Sequence, residues 1–336
     1  MTLKDIARLA GVSPSTVSRV LNQPDSTAAS PGTRDRIWKI VRESGYTPNQ
    51  NARLLRMGEE GGSLPSRSLC CIFARSDEMM NDPFFSRIAR ALEQEAFQRG
   101  YIVRYSLSAR RLDTAAMEMV SAYPVDGAVV LGRLDQQLMR FLRAHYHHVV
   151  ATGLNPIESD YDQIVCSGYQ AARAAVEHLF SLGHRQIAYL GEVDNEARFR
   201  GYYDALKERR IVPDRSLILE APLTASGGYE GGRRLLELPR PVTAVFCAND
   251  QTAIGAVKAL REKSVSIPGQ LSVIGIDDIE MSRYITPMLT TIHIPAEEMG
   301  RQTARTLIER IEGRRRLPVR IEVPFRLVRR ESVAFP

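Results

Sequence analysis

The segment from residue 14 to residue 22 carries polar side chains of the kinds that bond to DNA. Serine and asparagine side chains can bond to phosphate oxygens, and the planar guanidinium of Arg19 can pair with guanine O6 and N7 in the major groove. At helical spacing the outward-facing residues are Pro14, Ser15, Ser18, Arg19 and Asn22. The pattern fits a DNA-recognition helix, and it also fits a small helical corner in an enzyme with Arg19 facing solvent.

Two short helices joined by a tight turn are predicted to position these side chains. Apolar residues at helical spacing in the first helix are Ile6, Ala7, Leu9 and Ala10. Gly11 stands where this helix must end, and a residue free to adopt positive φ is favoured there. Ser13 is expected to cap the second helix, with Pro14 at its first position. Val17, Val20 and Leu21 face inward, so the segment is predicted to be a helix-turn-helix.

The distribution of charge favours DNA as the partner of this segment. A third helix with Ile37, Ile40 and Val41 on its apolar face, braced by Trp38, completes a small headpiece. Residues 1–58 carry nine Lys or Arg and four acidic residues, a net charge of +5, whereas the rest of the chain carries +1. A basic unit attached to a near-neutral one is typical of a DNA-binding domain joined to a partner domain.

The segment 46–58 combines two features that an isolated short helix does not explain. Arg53 and Arg56 make it basic, and Leu54 and Leu55 are large apolar residues without an obvious core. Two copies, one from each of two subunits, would account for both features by packing in the minor groove and inserting a leucine between base steps. The alternative is an ordinary linker helix.

Beyond a Gly- and Ser-containing connector at residues 59–68, strand-like and helix-like segments alternate. One run extends from residue 69 to about residue 152, and a second from residue 169 to residue 276. Such alternation predicts parallel sheets covered by helices on both faces. Two such units in sequence predict two lobes with a ligand cleft between them.

Polar residues follow several of the predicted strands, where ligands bind in sheets of this kind. Asp277 would accept hydrogen bonds from sugar hydroxyls, Asn249 would both accept and donate, and Arg198 would donate. Phe84 or Phe85 would supply an apolar contact to a sugar ring. The alternative for the Asp and Asn residues is helix capping, which we weigh most heavily for Asp250 and Asp278.

Other classes of protein find little support in the sequence. The four cysteines Cys70, Cys71, Cys166 and Cys247 lack metal-ligand spacing and are expected to be buried thiols of a reducing compartment. No nucleophile–base arrangement can be proposed, and the histidines 145, 147 and 148 are typical of a surface helix end. No signal peptide or apolar run of transmembrane length is recognised. We therefore expect a cytoplasmic protein that is not an enzyme and needs no cofactor, metal or membrane.

Several segments resemble motifs of the lactose-repressor/galactose-repressor family of bacterial transcription regulators, and they occur in the order found in that family. They are residues 2–22, 45–49, 82–85, 176–179, 182–187, 271–278 and 289–292. The resemblance covers essentially the whole chain. It implies a homodimer on near-palindromic double-stranded operator DNA, a hinge helix that folds on DNA, and a core similar to type I periplasmic sugar-binding proteins. A tetramer is not expected, because residues 331–336 contain no heptad tail.

The resemblance also assigns roles to individual positions. Base-reading positions fall on Pro14, Ser15 and Arg19, and contacts to phosphates or thymine methyl groups fall on Thr16, Ser18 and Asn22. The minor-groove lever falls on Leu55, with Asn51 and Ala52 beside it, and the effector contacts fall on Arg198, Asn249 and Asp277. Two departures stand out: Gly153 replaces a sugar-contacting acid of some members, and the loop after Asn22 is longer than in many relatives. The longer loop resembles that of regulators of β-galactoside use.

The prediction is a helix-turn-helix headpiece at residues 1–46, a hinge and linker at 47–67, and a two-lobed α/β core at 68–336. Lobe 1 is predicted to comprise residues 68–160 and 291–322, and lobe 2 residues 161–290 and 323–336. The predicted function is a repressor released from its operator by a sugar effector, with a galactoside as a candidate. The alternatives are a ligand-activated or corepressor-type regulator of the same family, and a sugar-binding protein without a DNA function.

Overall fold

The structure is a computed structural model that describes residues 3–22, 29–44, 66–74, 82–112, 120, 122–238 and 241–336. The chain divides into two compact units, residues 1–64 and 65–336. This division falls within the segment 47–67 that the sequence analysis assigns to the hinge and linker. The predicted hinge residues Asn51, Ala52 and Leu55 lie outside the described residues.

The described part of the first unit contains three short helices, α1 (Leu3–Ala10), α2 (Pro14–Asn22) and α3 (Pro31–Ser44). Their shared core consists of Ile6, Ala7, Ala10, Val17, Val20, Ile37 and Val41. Two expectations are corrected here, because Leu9 is 55% exposed and Trp38 is 41% exposed. Leu9 lies roughly a quarter-turn around α1 from the stripe formed by Ile6, Ala7 and Ala10, and Trp38 is rotated in the same way from Ile37.

The second unit alternates strands and helices. Its strands are β1 (Ser68–Phe73), β2 (Ile102–Ser108), β3 (Gly127–Leu131), β4 (Val149–Gly153), β5 (Asp162–Val165), β6 (Ile187–Gly191), β7 (Ile218–Glu220), β8 (Ala244–Cys247), β9 (Ser272–Asp277), β10 (Thr290–His293), β11 (Arg320–Glu322) and β12 (Arg326–Val328). The α-helices among its described residues are α4 (Pro83–Gln98), α5 (Gln136–His145), α6 (Gly168–Ser181), α7 (Ala197–Glu208), α8 (Ala225–Leu235), α9 (Asp250–Glu262) and α10 (Ala296–Ile311).

The strands form two six-stranded sheets, one in each lobe. The order is β11-β5-β4-β3-β1-β2 in lobe 1 and β12-β10-β9-β8-β6-β7 in lobe 2. The pairs are parallel throughout, except that β12 runs antiparallel to β10. The strand order reverses between β1 and β3 in lobe 1 and between β6 and β8 in lobe 2. Ligands bind at such reversal points, beyond the carboxyl ends of the strands.

The chain passes between the lobes at slightly different positions from those predicted. At two of these positions the difference is one short strand. Strand β5 (Asp162–Val165) pairs with β4 in lobe 1, whereas the sequence analysis places residue 161 onward in lobe 2. Strand β10 (Thr290–His293) pairs with β9 in lobe 2, whereas residue 291 onward is predicted in lobe 1. Neither four-residue strand has the apolar run that marks the longer ones. Buried Asp162 ties β5 to lobe 1 by accepting hydrogen bonds from Arg310 and Arg315.

The glycine-rich segment 227–232 is a site of close helix packing. Thr224 caps α8 by accepting a hydrogen bond from the Gly227 amide at 3.0 Å, and the helix begins at Ala225. A Cβ atom at Gly228 would lie 2.0 Å from the Thr252 carbonyl oxygen on α9. The glycines therefore let α8 and α9 approach each other, as part of the layer that covers the lobe 2 sheet. In the described residues, no helix has the length and apolarity needed to cross a membrane.

Candidate functional sites: a recognition helix and an interlobe cleft

The turn between α1 and α2 is built by local hydrogen bonds. Gly11 adopts φ +66°, in the region that favours glycine, and the Val12 amide donates to the Ala7 carbonyl at 3.0 Å. The Ser13 hydroxyl accepts from the Thr16 amide at 3.1 Å and lies 2.9 Å from the Thr16 hydroxyl. Ser13 therefore caps α2, with Pro14 at its first position, as the sequence predicts.

The face of α2 opposite its buried valines presents most of the predicted DNA-contacting side chains. Pro14, Ser15 and Arg19 are exposed, while Thr16 and Ser18 are half-buried at the edges of this face. Val17 and Val20 anchor the opposite face in the headpiece core. Asn22 ends the helix, and its side chain lies outside the described part, as do Asn51, Ala52 and Leu55. The geometry is that of a helix able to present side chains to the major groove.

In the second unit, polar residues from both lobes meet at the reversal points of the two sheets. Asp82 and Arg133 come from the loops that follow β1 and β3 in lobe 1. Glu196 and Arg198 follow β6, and Asn249 follows β8, in lobe 2. We refer to this region as the interlobe cleft.

Arg198 lies at the start of α7 and is held by a neighbouring acid that the sequence analysis did not single out. Its Nε and Nη2 atoms donate to the two carboxylate oxygens of Glu196 at 2.8 and 3.0 Å, and Nη1 donates to the Ala248 carbonyl oxygen at 2.8 Å. Glu196 is 0% exposed and Arg198 is 6% exposed. A guanidinium carries five N–H groups, so two of those on Arg198 stay available to a ligand.

Arg133 brings a second guanidinium to Glu196 from the opposite lobe. Its Nη1 atom donates to the Asp194 and Asn195 carbonyl oxygens at 2.7 Å and lies 3.5 Å from a Glu196 oxygen. Its Nη2 atom donates to the carboxylate of Glu192. The only signal for Arg133 in the sequence is weak: it is an arginine that follows an apolar, strand-like segment. The contacts connect the lobes directly at the cleft.

Asp277 ends β9 and leaves one buried oxygen unused. The residue is 4% exposed, and its Oδ1 atom has no hydrogen-bond partner among the described residues. Its backbone adopts φ +121°, which is rare for a residue other than glycine and is typical of functional sites. Burial raises the pKa of Asp277 well above its ordinary value, against the opposing charge of Arg198. The unused oxygen is a natural acceptor for a ligand hydroxyl.

Asn249 is occupied as a helix cap. Its Oδ1 atom accepts from the Thr252 amide at 2.9 Å and hydroxyl at 2.6 Å, and its Nδ2 atom donates to the Leu223 carbonyl at 3.1 Å. These bonds use the Oδ1 lone pairs and one amide hydrogen, so a ligand can reach only the other hydrogen. The structure thus places Asn249 at the cleft in the capping role weighed above for Asp and Asn.

Asp250 and Asp278 have structural partners. Asp250 accepts hydrogen bonds from the Ile279 amide and from the hydroxyls of Ser282 and Thr291. Asp278 accepts from His293 and pairs with Arg330. Burial raises the pKa of Asp250 to about 7. Both residues therefore stabilise the loop after β9, with Asp250 doing so from the first turn of α9.

The segment 82–85 forms the start of α4, and one of its two phenylalanines is buried in the core. Asp82 caps the helix by accepting from the Phe84 amide at 2.8 Å. Phe84 is 2% exposed and belongs to the hydrophobic core, while Phe85 is half-buried and meets it edge-on, with ring centroids 5.0 Å apart. Phe85 is thus the member of the pair with surface left for a ligand. No group of three potential metal ligands occurs among the described residues.

Acid should destabilise the protein through Glu196. Burial alone would raise its pKa, but the charge and hydrogen bonds of Arg198 outweigh burial and lower the pKa to about 2. Because the folded-state pKa is depressed, this stabilisation is present above the ordinary value of 4.5 and is lost as the pH falls toward 2. We expect the urea unfolding free energy of Glu196→Gln to fall less between pH 5 and pH 3 than that of wild type. A difference of about 2 kcal/mol is expected over this range, most of it below pH 4.

The control for this titration is Glu262→Gln, which removes an exposed carboxylate paired with Lys258 on the surface of α9. Its unfolding free energy should follow the wild-type pH dependence closely, because exposed ion pairs contribute little. Identical pH profiles for wild type and Glu196→Gln would show that the buried pair does not carry this stabilisation.

Comparisons with known proteins extend over both units. Residues 2–49 match the family described as bacterial regulatory proteins, lacI family, and residues 176–333 match a periplasmic binding protein-like domain. The transcriptional repressor PurR of Mannheimia succiniciproducens is 31% identical over 340 residues, which cover 99% of this chain and 98% of that protein. The PurR repressor of Shigella dysenteriae is 30% identical over 342 residues, with 99% and 97% covered.

A solved structure with a similar fold is the lac repressor dimer bound to operator and the anti-inducer ONPF. It is 28% identical, has a TM-score of 0.81, and the match covers 99% of each chain. On this similarity over nearly its whole length, together with the helix-turn-helix headpiece and the two-lobed core, the chain belongs to the lacI family of bacterial regulatory proteins and is a DNA-binding transcriptional repressor.

Proposed function

We propose that this repressor binds a near-palindromic operator as a homodimer and is released by a sugar bound in the interlobe cleft. The observation that carries the effector site is the buried Oδ1 atom of Asp277, which lacks a partner among the described residues and lies in the electrostatic field of Arg198. An unsatisfied buried acceptor costs free energy, and a ligand hydroxyl would remove that cost. Arg198 would donate its two remaining N–H groups to the same ligand.

The contacts between the lobes provide the route from the cleft to DNA. Arg133 of lobe 1 binds the Asp194 and Asn195 carbonyls of lobe 2, and Arg87 on α4 donates to the Asp278 carbonyl at 3.1 Å. A ligand that competes for or adds to these contacts changes the preferred angle between the lobes. In the proposed mechanism this change separates the two hinge segments and weakens DNA binding. Coupling between two sites is typically about 1–3 kcal/mol.

In the proposed DNA complex, Pro14, Ser15 and Arg19 read bases, while Thr16, Ser18 and Asn22 contact the backbone or thymine methyl groups. Leu55, flanked by Asn51 and Ala52, is the proposed minor-groove lever. One solved relative supports a sugar as the effector class: a regulator named CelR, 27% identical with a TM-score of 0.72, was solved in complex with cellobiose. A galactoside is one candidate, from the long loop after Asn22.

Fluorescence anisotropy of labelled DNA from beside the gene of this protein tests the proposal. Protein is titrated first, and mono- and disaccharides are then added singly. We expect tight, salt-dependent binding, and we expect one neutral sugar to raise the Kd about 5- to 150-fold. A sugar that lowers the Kd would identify a corepressor-type regulator. Binding that no sugar changes would reject the sugar effector but keep the DNA site, and an absence of specific binding would contradict the proposed recognition helix.

A further inference from the structure

We propose that Glu196 sets the charge selectivity of the interlobe cleft, so that the cleft accepts an uncharged ligand rich in hydroxyl groups and rejects an anionic one. The inference rests on the proposed function in taking this cleft as the effector site. It goes beyond that function by assigning specificity to a residue outside the positions that contact the effector.

The Arg198 guanidinium is already paired with a carboxylate of the protein. An unpaired arginine in a cleft is a strong site for carboxylate or phosphate, because its fork binds two oxygens at once. Here the fork of Nε and Nη2 is already filled by the Glu196 carboxylate, at 2.8 and 3.0 Å. A ligand anion therefore finds a guanidinium whose bidentate edge is filled and whose charge a buried carboxylate already pairs, with only the two remaining N–H groups to bind it.

Arg133 is the cation that lobe 1 supplies to the cleft, and it is also held by acceptors of the protein. Its guanidinium is held by the Glu192 carboxylate and by the carbonyl oxygens of Asp194 and Asn195, and it lies 3.5 Å from Glu196. The Glu196 carboxylate thus lies between two guanidinium groups, one from each lobe. Both positive charges that meet at this point of the cleft face carboxylates of the protein.

A ligand can still contact the Asp277 carboxyl group and the two free N–H groups of Arg198. Asp82 and Asp277 are further carboxyl groups that interact electrostatically with Arg198. The unpartnered Oδ1 atom of Asp277 can accept a hydrogen bond from a ligand hydroxyl or amine. A neutral hydroxyl can donate to Asp277 and accept from the free N–H groups of Arg198. A ligand carboxylate can only accept, so it leaves the Asp277 acceptor unsatisfied and adds a negative charge beside the buried Glu196 carboxylate.

The balance of charge therefore disfavours an anion more strongly than it favours any particular sugar. Burial of a further negative charge without an unpaired cation is costly, and specificity of this kind depends on the repulsive element as much as on the attractive one. Removing the charge of Glu196 while keeping its shape should expose the latent anion site of Arg198.

The test compares full-length wild type, Glu196→Gln and the double variant Glu196→Gln/Arg198→Met, with inorganic phosphate as the probe. Calorimetric titration is run at constant ionic strength with chloride as the balancing anion. The basic headpiece is the same in all three proteins, so differences between them report the cleft. We expect Glu196→Gln to bind phosphate about tenfold or more tightly than wild type, as a released charged hydrogen-bonding group would allow. The double variant should return to the wild-type value.

Galactose and galacturonate form the second probe pair, since they differ by one carboxylate. Wild type should bind galacturonate more weakly than galactose, and Glu196→Gln should narrow or invert that order. Equal phosphate affinity in wild type and Glu196→Gln, or tighter galacturonate than galactose binding by wild type, would overturn the role of Glu196. If no sugar alters operator binding, the proposed effector class fails, while the phosphate comparison still decides whether Glu196 excludes anions.

Discussion

Replacing Arg198 by alanine should abolish the release of operator DNA by the effector while leaving operator binding nearly unchanged. The guanidinium supplies the two N–H groups proposed to hold the ligand and also fixes Glu196 and the Ala248 carbonyl oxygen in the cleft. Its loss therefore removes a ligand contact and disorganises the remaining ones. The residues proposed to read bases lie on α2, in the other unit of the chain. The measurement is operator anisotropy with and without the releasing sugar.

The same substitution should also destabilise the core. Glu196 would remain buried, with Arg133 as its nearest cation at 3.5 Å. Removing one partner of a buried ion pair typically costs about 3–5 kcal/mol, a large share of the roughly 5–15 kcal/mol that stabilises a domain. Urea unfolding of the core measures the loss directly. The double variant Glu196→Gln/Arg198→Met removes both charges and should recover much of the stability, because two neutral side chains replace the pair.

The double variant keeps the prediction decisive if Arg198→Ala fails to fold. A folded Glu196→Gln/Arg198→Met protein should bind operator and show no release by the sugar. The matched control is Arg209→Ala, which removes an arginine at the end of the same helix, where it forms a more exposed pair with Glu177. This control should respond to the sugar as wild type does. Normal release in the double variant would refute the assignment of Arg198 to the effector site.

The parts of the fold set by near neighbours were predictable from the sequence. The turn at Gly11 and the cap at Ser13 depend on hydrogen bonds that span three to five residues, so residue types at fixed spacing identify them. Strand β5 (Asp162–Val165) depends instead on Arg310 and Arg315, about 150 residues away, and its sequence has no extended apolar run. Such a strand becomes recognisable only when the partners that hold it are known.

The cleft shows the same division between local and distant contacts. Glu196 lies two residues before Arg198, so their ion pair is local and could be predicted from the sequence. The contact of Arg133 with Asp194 and Asn195 joins residues about 60 positions apart and exists because the two lobes pack together. Asn249 was ambiguous, since the same residue type at a strand end serves a cap or a ligand. The hydrogen bonds to Thr252 show that it serves as a cap.

Replacing Arg19 by alanine should weaken operator binding more than the loss of one positive charge explains. Arg19 is exposed on α2, on the face opposite Val17 and Val20, and a bidentate arginine–guanine contact contributes about 1–3 kcal/mol. With one copy in each half-site, the Kd should rise at least about tenfold. Discrimination at one base pair of each half-site should be lost as well. Anisotropy with operators substituted at single positions measures both effects, and sugar binding to the core should be unchanged.

Arg8→Ala is the matched control, because it removes another exposed arginine of the same unit, on α1, where the side chain pairs with Asp5. A loss of charge alone weakens binding to all sequences uniformly and reduces the salt dependence, whereas a lost base contact relaxes the preference at a single position. Arg8→Ala should therefore show at most the first effect, and Arg19→Ala should show the second. Equal losses in the two variants, with the same base preferences as wild type, would place Arg19 on the phosphate backbone and move base reading to Pro14 and Ser15.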